Sequence, residues 1–313
     1  MRPLALPRWQ MTQLAGIDDV AALAGWRRAL APPGRNEPPL VSLLEDWGEF
    51  SGLDWPTMLR RVHSSHEEVA EEFEKLRPSA AQAVAELYNE TETLIPLLLW
   101  WHGTDLNPAR CATGAARVMS AAGVGRVLDF GCGIGSTALV LAEGGHEVVL
   151  ADVAEGPLRF ADWRMRRRGH EAGVVRLLDT PLEDAAEASY QGVTAFDVFE
   201  HLTEIRPSLE QIDRVLAPGG VICFNQVYVP AGEGPHHYPQ RGEALVWLHQ
   251  HDYRLAHATH ICWVAQKDGQ RAGERLAQSA AIRARIASTR LAEGLRGPGS
   301  GTAAHRIISH ALR

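Results

Sequence analysis

The sequence predicts an α/β protein: a doubly wound, mostly parallel sheet with helices on both faces, preceded by an N-terminal helical domain. Three observations carry this. From Gly125 onward, short apolar runs rich in β-branched residues alternate with helical stretches, which is the rhythm of strand–helix–strand units in a parallel sheet. The first of those runs ends in an acid followed by three glycines at alternate positions, Asp129-Phe130-Gly131-Cys132-Gly133-Ile134-Gly135. Such a turn belongs at the carboxyl end of a strand that feeds a helix. The first hundred residues, by contrast, carry helical punctuation.

In chain order, an amphipathic stretch from Ile17 to Leu30 stops at Ala31-Pro32-Pro33-Gly34, and a loop is expected after it. Ser65 with Glu68 has capping-box spacing and predicts a helix start there, running to Leu76 and stopping before Pro78. Ser79 caps the next predicted helix, Ala80 to about Trp101. Its Pro96 lacks an amide proton and crowds the carbonyl four residues back, so a kink or break is expected near Glu92 to Leu94. Strands are predicted at Arg126 to Phe130, Glu147 to Ala151, Val174 to Leu178, Val193 to Phe196 and Val221 to Phe224. Between them lie predicted helices at Ser136 to Glu143, Pro157 to Arg168 and Ile205 to Leu216. Arg254 to Gln266 has strand-like residues but no turn signal, which leaves a final strand fused, displaced or missing. After Lys267 the chain turns polar, with an arginine-rich helical stretch from Glu274 to Leu295 and a Gly-Pro-Gly-Ser-Gly linker. Three regions follow: a helical domain over 1–107, a core over 108–267 and a polar, helical tail over 268–313.

Composition narrows the function classes. The 313 residues, 45% hydrophobic and 22% charged, suffice for a sizeable core and exclude a disordered or fibrous chain. A formal net charge of -7 argues against binding that rests on neutralising phosphates, so no nucleic-acid partner is expected. Four scattered cysteines without a CxxC indicate neither a disulfide framework nor structural zinc, and a reducing cytoplasm fits best. The longest strongly apolar run, Leu94 to Trp101, is far short of the ~20 residues of a spanning helix, and no signal-peptide pattern opens the chain.

The chemistry sits at the strand ends. Glycines at 131, 133 and 135 permit positive φ and let a ligand approach the backbone. A dinucleotide fingerprint would read G-x-G-x-x-G, whereas this chain has G-x-G-x-G with an acid two residues ahead, a spacing that favours another cofactor. Here the chain resembles the class I S-adenosylmethionine-dependent methyltransferases, small-molecule type. A Rossmann-like core and S-adenosylmethionine as cofactor are what that resemblance implies, with Asp129, Gly131, Cys132, Gly133 and Gly135 around it. The second strand ends in Asp152, 17 residues after Gly135, where a carboxylate accepts both ribose hydroxyl protons. The family places the cofactor ribose there, with Val153 next in sequence positioned for the adenine face. Asp179, after the third strand, is similar to the family acid that contacts the adenine amino group, although an aspartate before a turn also bonds its own backbone. The segment Asp197-Val198-Phe199-Glu200-His201 looks like the Glu-His segment of ubiquinone-biosynthesis-type methyltransferases. Asp197 is the acid most available to the pocket. His201, with an unperturbed pKa around 6.5, can take an acceptor's proton; the competing reading is that Glu200 and His201 cap the following helix. Leu216-Ala217-Pro218-Gly219-Gly220 is similar to the family turn before the fifth strand.

In many relatives a helix ahead of the first strand folds over the cofactor, which would bring Tyr88 or Thr93 to the methionine carboxylate. Trp101, Asn225, Tyr228, His236, His237 and Tyr238 are expected around the acceptor, and the adjacent histidines are too weak a signal for a metal. The expected activity is methyl transfer to an O, N or C nucleophile of a small-molecule acceptor by in-line displacement, with a homodimer left open. Two alternatives stand beside it: a reaction of the same cofactor without methyl transfer, such as cyclisation releasing methylthioadenosine, and a non-catalytic cofactor-binding partner.

Overall fold

The computed structural model describes residues 18–76, 88, 93–177, 182–202, 204–225, 243–258 and 262–267. Helix α1 spans Asp19–Leu30. The Asp18 carboxylate accepts the Ala21 amide at 3.0 Å and Arg27 and Arg28 lie in its last turn, so both ends suit the helix dipole. Helix α2 spans Pro39–Ser51, beginning on a proline that needs no amide partner there and ending at Gly52 with φ 73°. Helix α3 spans Trp55–Leu76, α4 Leu94–Thr104 and α5 Leu106–Ala121, the last capped by Asp105, whose carboxylate accepts the Asn107 amide at 2.6 Å.

The core then alternates. Strand β1 (Arg126–Phe130) leads to α6 (Ser136–Glu143), β2 (Glu147–Asp152) to α7 (Glu155–Arg167), and β3 (Ala172–Arg176) to a single 3₁₀ turn at Leu182–Asp184. Strand β4 (Tyr190–Ala195), a 3₁₀ turn at Phe199–His201 and α8 (Ile205–Val215) follow, then β5 (Leu216–Phe224), α9 (Glu243–Gln250), β6 (Tyr253–Ala258) and β7 (Trp263–Lys267). The strands form one sheet in the order β3-β2-β1-β4-β5-β7-β6, with β7 antiparallel to both its neighbours and the other pairings parallel. The order reverses between β1 and β4, so the crevice at their carboxyl ends is where such a sheet receives a ligand. Among the described residues no helix is long and apolar enough to cross a membrane.

Several expectations need correction. The stretch after Pro33 is not all loop: Leu43, Leu44 and Trp47 on α2 are buried. Helix α3 starts ten residues ahead of the capping-box serine, at Trp55, and Ser65 lies buried mid-helix with its hydroxyl donating to the Val62 carbonyl at 2.8 Å. Pro96 sits in the first turn of α4, where amides have no partner inside the helix, and α4 begins at Leu94 after a turn at Thr93, so the expected break falls there. The earlier part of that predicted helix, 80–87 and 89–92, lies outside the described residues, as does the tail 268–313. Strand β3 is displaced toward the N-terminus because its pairing with β2 runs from Val148–Ala172 to Asp152–Arg176. The Pro218-Gly219 turn is absorbed into β5 through an irregular register between Tyr190 and Gly192. The final strand is neither fused nor missing: β6 and β7 pair as a hairpin.

One apolar cluster runs through the helical segment and the sheet layer, joining Trp26, Leu43, Trp47 and Met58 to Val127, Leu139, Leu150 and Phe160. Inside it lies a fully buried ion pair. Asp46 of α2 accepts from Arg164 Nε at 3.0 Å and from Arg168 at 2.7 Å, and Arg167 stands 3.3 Å from its other oxygen. Arg164 also donates to the Ile134 carbonyl at 2.6 Å and to the Ser136 hydroxyl at 3.0 Å. The pair therefore ties α2 to the glycine turn. Burial holds the Arg164 guanidinium down to about 10 against the raising effect of Asp46. Removing one member of a buried pair strands the other charge, at a cost of about 3 to 5 kcal/mol. Asp46→Ala should lose that much in urea denaturation, and the Asp46→Leu/Arg164→Met/Arg168→Met variant, which leaves neither buried partner charged, should lose distinctly less.

Candidate functional site

The glycine turn is held from beneath. Gly131 and Cys132 amides both donate to the Ala151 carbonyl, at 2.8 and 3.1 Å, so the turn is stitched to the end of β2. Gly131 has φ 70°, and a Cβ there would fall 2.4 Å from a methyl of Val198, so no side chain fits. Gly135, φ 73°, caps α6, and a Cβ would meet Ala161 at 2.7 Å. Between them the Gly133 amide donates to Asp152 at 2.7 Å. The Cys132 thiol is buried and burial pushes its pKa up, which makes it inert.

Two buried acids flank the turn at the ends of adjacent strands. Asp152 on β2 takes Gly133 on one oxygen and the Ala154 amide on the other, at 2.8 Å. Burial raises its pKa, and backbone amides pull the other way. Asp129 on β1 is 3% exposed and accepts the Thr194 hydroxyl at 2.6 Å. Burial lifts its pKa to about 7, opposed by Thr194 and reinforced by the charge of Asp152. Val153 is half-buried beside them.

Across the switch point, Asp197 and Asn225 bond reciprocally. The Asp197 amide donates to Asn225 Oδ1 and Asn225 Nδ2 donates to Asp197 Oδ1, both at 2.6 Å. This clamp holds Asp197 at φ 54°, a left-handed conformation that aspartate tolerates better than most residues. Trp101 of α4 donates its indole N–H to the second carboxylate oxygen of Asp197 at 3.3 Å, so the helical segment touches the site. His201 ends the 3₁₀ turn, and its Nδ1 lies 2.7 Å from the Tyr88 hydroxyl with the rings edge to face at 5.7 Å. Helix α8 is preceded by Glu204, and no side chain caps it there. Thr93 donates to Glu72 on α3 at 3.2 Å, a contact between helices.

Of the residues singled out in the sequence, the structure brings Gly131, Gly133 and Gly135 together in one turn flanked by Asp129 and Asp152, and joins Asp197, Asn225 and Trp101 in a second group. Tyr88 and His201 form a third. Asp179, Tyr228, His236, His237 and Tyr238 lie outside the described residues. Sequence reasoning missed His102 and Ser136 as partners. The His102 Nδ1 lies 2.9 Å from the Ser136 hydroxyl, and its carbonyl accepts the Trp26 indole at 3.0 Å. Burial, aided by Arg164, holds His102 down to about 3, so the ring stays neutral. A serine at the first position of α6 is a weak signal for such a contact.

Residues 128–222 match the family described as "Methyltransferase domain". The chain is 31% identical over 100 residues to the ubiquinone biosynthesis O-methyltransferase of Idiomarina loihiensis, covering 32% of this chain and 41% of that one. It is 36% identical over 106 residues to the enzyme of the same name from Hahella chejuensis, covering 33% and 43%. With the demethylmenaquinone methyltransferase of Clavibacter sepedonicus it shares 34% identity over 154 residues, 47% and 57% of the two chains. The chain thus spans about half the length of the curated relatives it matches. Among solved structures, a SAM-dependent methyltransferase from Aquifex aeolicus superposes with a TM-score of 0.38 at 18% identity, covering 45% of this chain and 80% of that one.

The Asp129 carboxyl gives a pH signature to the protein without ligand. Between its ordinary value of 3.8 and about 7 the folded chain holds a proton that the unfolded chain has released, so this group's contribution to stability is full below pH 4 and is lost as pH rises through 7. Asp129→Asn cannot titrate and keeps an acceptor for Thr194. The stability of the variant relative to the parent should therefore rise by about 3 kcal/mol between pH 4.5 and 7.5, at 1.36 kcal/mol per unit. Denaturant titrations at both pH values, giving the same difference, would refute the assignment.

Proposed function

We propose that this chain, built around a class I S-adenosylmethionine-dependent methyltransferase domain, transfers the methyl group of that cofactor to a nucleophilic atom of a small molecule. The observation that carries the reading is the glycine turn between Asp129 and Asp152. Position 131 packs so closely on Val198 that only glycine fits, which leaves the turn as bare backbone, and the buried carboxylate of Asp152 stands at the turn's edge. Each oxygen of Asp152 takes one amide, and a carboxylate oxygen has capacity for a second donor, so ribose hydroxyls can bond there without releasing the turn. Asp129 and Val153 complete the cradle.

The bound cofactor supplies an electrophilic methyl group on a sulfonium. What remains for the protein is proximity, orientation and, for a hydroxyl or ammonium acceptor, removal of a proton. Asp197, clamped by Asn225 and bonded to Trp101, borders the acceptor's place at the carboxyl end of the sheet, with α4 as cover. His201, on the turn after β4, is the base in this reading. The names of the sequence relatives, O-methylation in ubiquinone biosynthesis and methylation of demethylmenaquinone, favour a small ring-bearing acceptor with an oxygen or carbon nucleophile.

Calorimetric titration with S-adenosylmethionine tests the cradle. Asp152→Ala should weaken binding about ten- to a hundredfold, and a folded variant with the parent's affinity would overturn the placement of the ribose. In single-turnover assays with an accepted substrate, His201→Ala should lower the chemical rate by roughly a hundredfold at nearly unchanged cofactor affinity.

A further inference from the structure

The hydrogen bond between Tyr88 and His201 joins residues 113 positions apart, and the reading above uses only one of the two. We propose that Tyr88 is a positioning residue for His201: its hydroxyl oxygen takes the Nδ1 edge of the imidazole and so directs Nε2 toward the acceptor. This rests on the assignment of His201 as the base.

The geometry supports the role in three ways. The Tyr88 oxygen is 2.7 Å from Nδ1, within the range of a well-formed bond, and the edge-to-face packing of the rings at 82° fixes the imidazole plane. The backbone beneath is also fixed, since the His201 amide donates to the Val198 carbonyl at 3.0 Å and closes the 3₁₀ turn. Finally, Tyr88 keeps its proton at any working pH. Burial raises its pKa far beyond the usual range, and the negative charges of Glu200 and Asp152 raise it further. A phenol that neither loses nor gains a proton acts as an oriented dipole.

The proton accounting closes. As the acceptor atom bonds to the methyl carbon, the carbon–sulfur bond breaks with its electron pair staying on sulfur, and the acceptor's proton passes to Nε2. The imidazolium then donates its Nδ1–H to the Tyr88 oxygen, and the proton leaves from Nε2 to water after the product departs. Tyr88 exchanges no proton. In the neutral resting form this requires the hydrogen on Nδ1, because a base needs its lone pair on Nε2.

The test is Tyr88→Phe, which keeps the ring packing and removes the hydroxyl, measured in single turnover across pH in both the parent and the His201→Ala background. The expected result is a rate lowered about tenfold or more, cofactor affinity within threefold of the parent, and a lower pH limb moved to more acid pH because the imidazolium has lost its acceptor. In the His201→Ala background the same substitution should change nothing further. A parent-like rate and pH profile for Tyr88→Phe, while His201→Ala is slow, would overturn the positioning role and leave the base standing. A loss confined to cofactor affinity would also overturn it, and would make Tyr88 a cofactor contact. A parent-like rate for His201→Ala would remove the base assignment itself. Nitrogen-15 chemical shifts of His201 give an independent readout: Nδ1 should carry the hydrogen in the neutral ring, and a ring protonated on Nε2 would refute the proposal even if the variants proved unstable.

Discussion

The buried pair between Asp46 and Arg164 is the interaction on which the remaining architecture depends. Neither side chain is accessible to water, and a charge so placed is costly unless an opposite charge stands against it. One terminal nitrogen of Arg164 donates to both the Ile134 carbonyl and the Ser136 hydroxyl, the two positions on either side of Gly135. The helix that follows β2 therefore carries one residue that reaches both the N-terminal helices and the underside of the glycine turn. Ser136 accepts from Arg164, which leaves its own hydrogen for the neutral imidazole of His102, and the His102 carbonyl receives Trp26. A chain of hydrogen bonds thus passes from α7 through α6 to α4 and α1. With every link directional, the helical cover and the turn share one arrangement.

This interdependence explains the shape of the site. Asp152 is aimed by two backbone amides, one of them on the turn it helps to shape, while Asp197 is aimed by Asn225 from the adjacent strand. Asp152 ends β2 in register with Arg176, and Asp197 follows β4 two residues after Ala195, which pairs with Phe224, so the sheet pairing fixes where both acids stand. Side chains presented by rigid strand ends need little ordering when a ligand arrives. The α4 helix, which supplies Trp101 to Asp197, is packed against α2 and α3, so its placement is inherited from the helical layer and not from the sheet.

The sheet was legible because buried parallel strands read as unbroken apolar runs, and β1 and α6 fall where the pattern of Val127-Leu128 and Ser136 puts them. Strand β3 was less so, since as an edge strand it leaves Val174 46% exposed and its limits come from its partner. The glycine turn could be read because its spacing is itself the chemistry. The N-terminal region was legible as helical, with Ile17 to Leu30 falling on α1, but the ties that hold that layer were hidden for physical reasons. Asp46, Arg164 and Arg168 are charged, and on an amphipathic helix a charge reads as a solvated face; only the fold shows them burying one another. Pro38-Pro39 reads as a loop, yet proline is well suited to open a helix. The partner of His201 is 113 residues away, a distance over which one sequence without its fold offers no signal.

The strand order has a consequence for how the chain assembles. Strand β5 receives its second neighbour from β7, the last strand described, and not from β6, which is made first. While the chain emerges from a ribosome, the edge of β5 stays open through the synthesis of everything from Asn225 to Cys262, with Ile222, Cys223 and Phe224 at that edge. An unpaired apolar strand edge is a template for pairing with other chains. Strands β6 and β7 are close in sequence, so both become available to that edge at nearly the same time. The late appearance of that pair makes the interval before residue 263 the period in which a nascent chain is most exposed to misassociation.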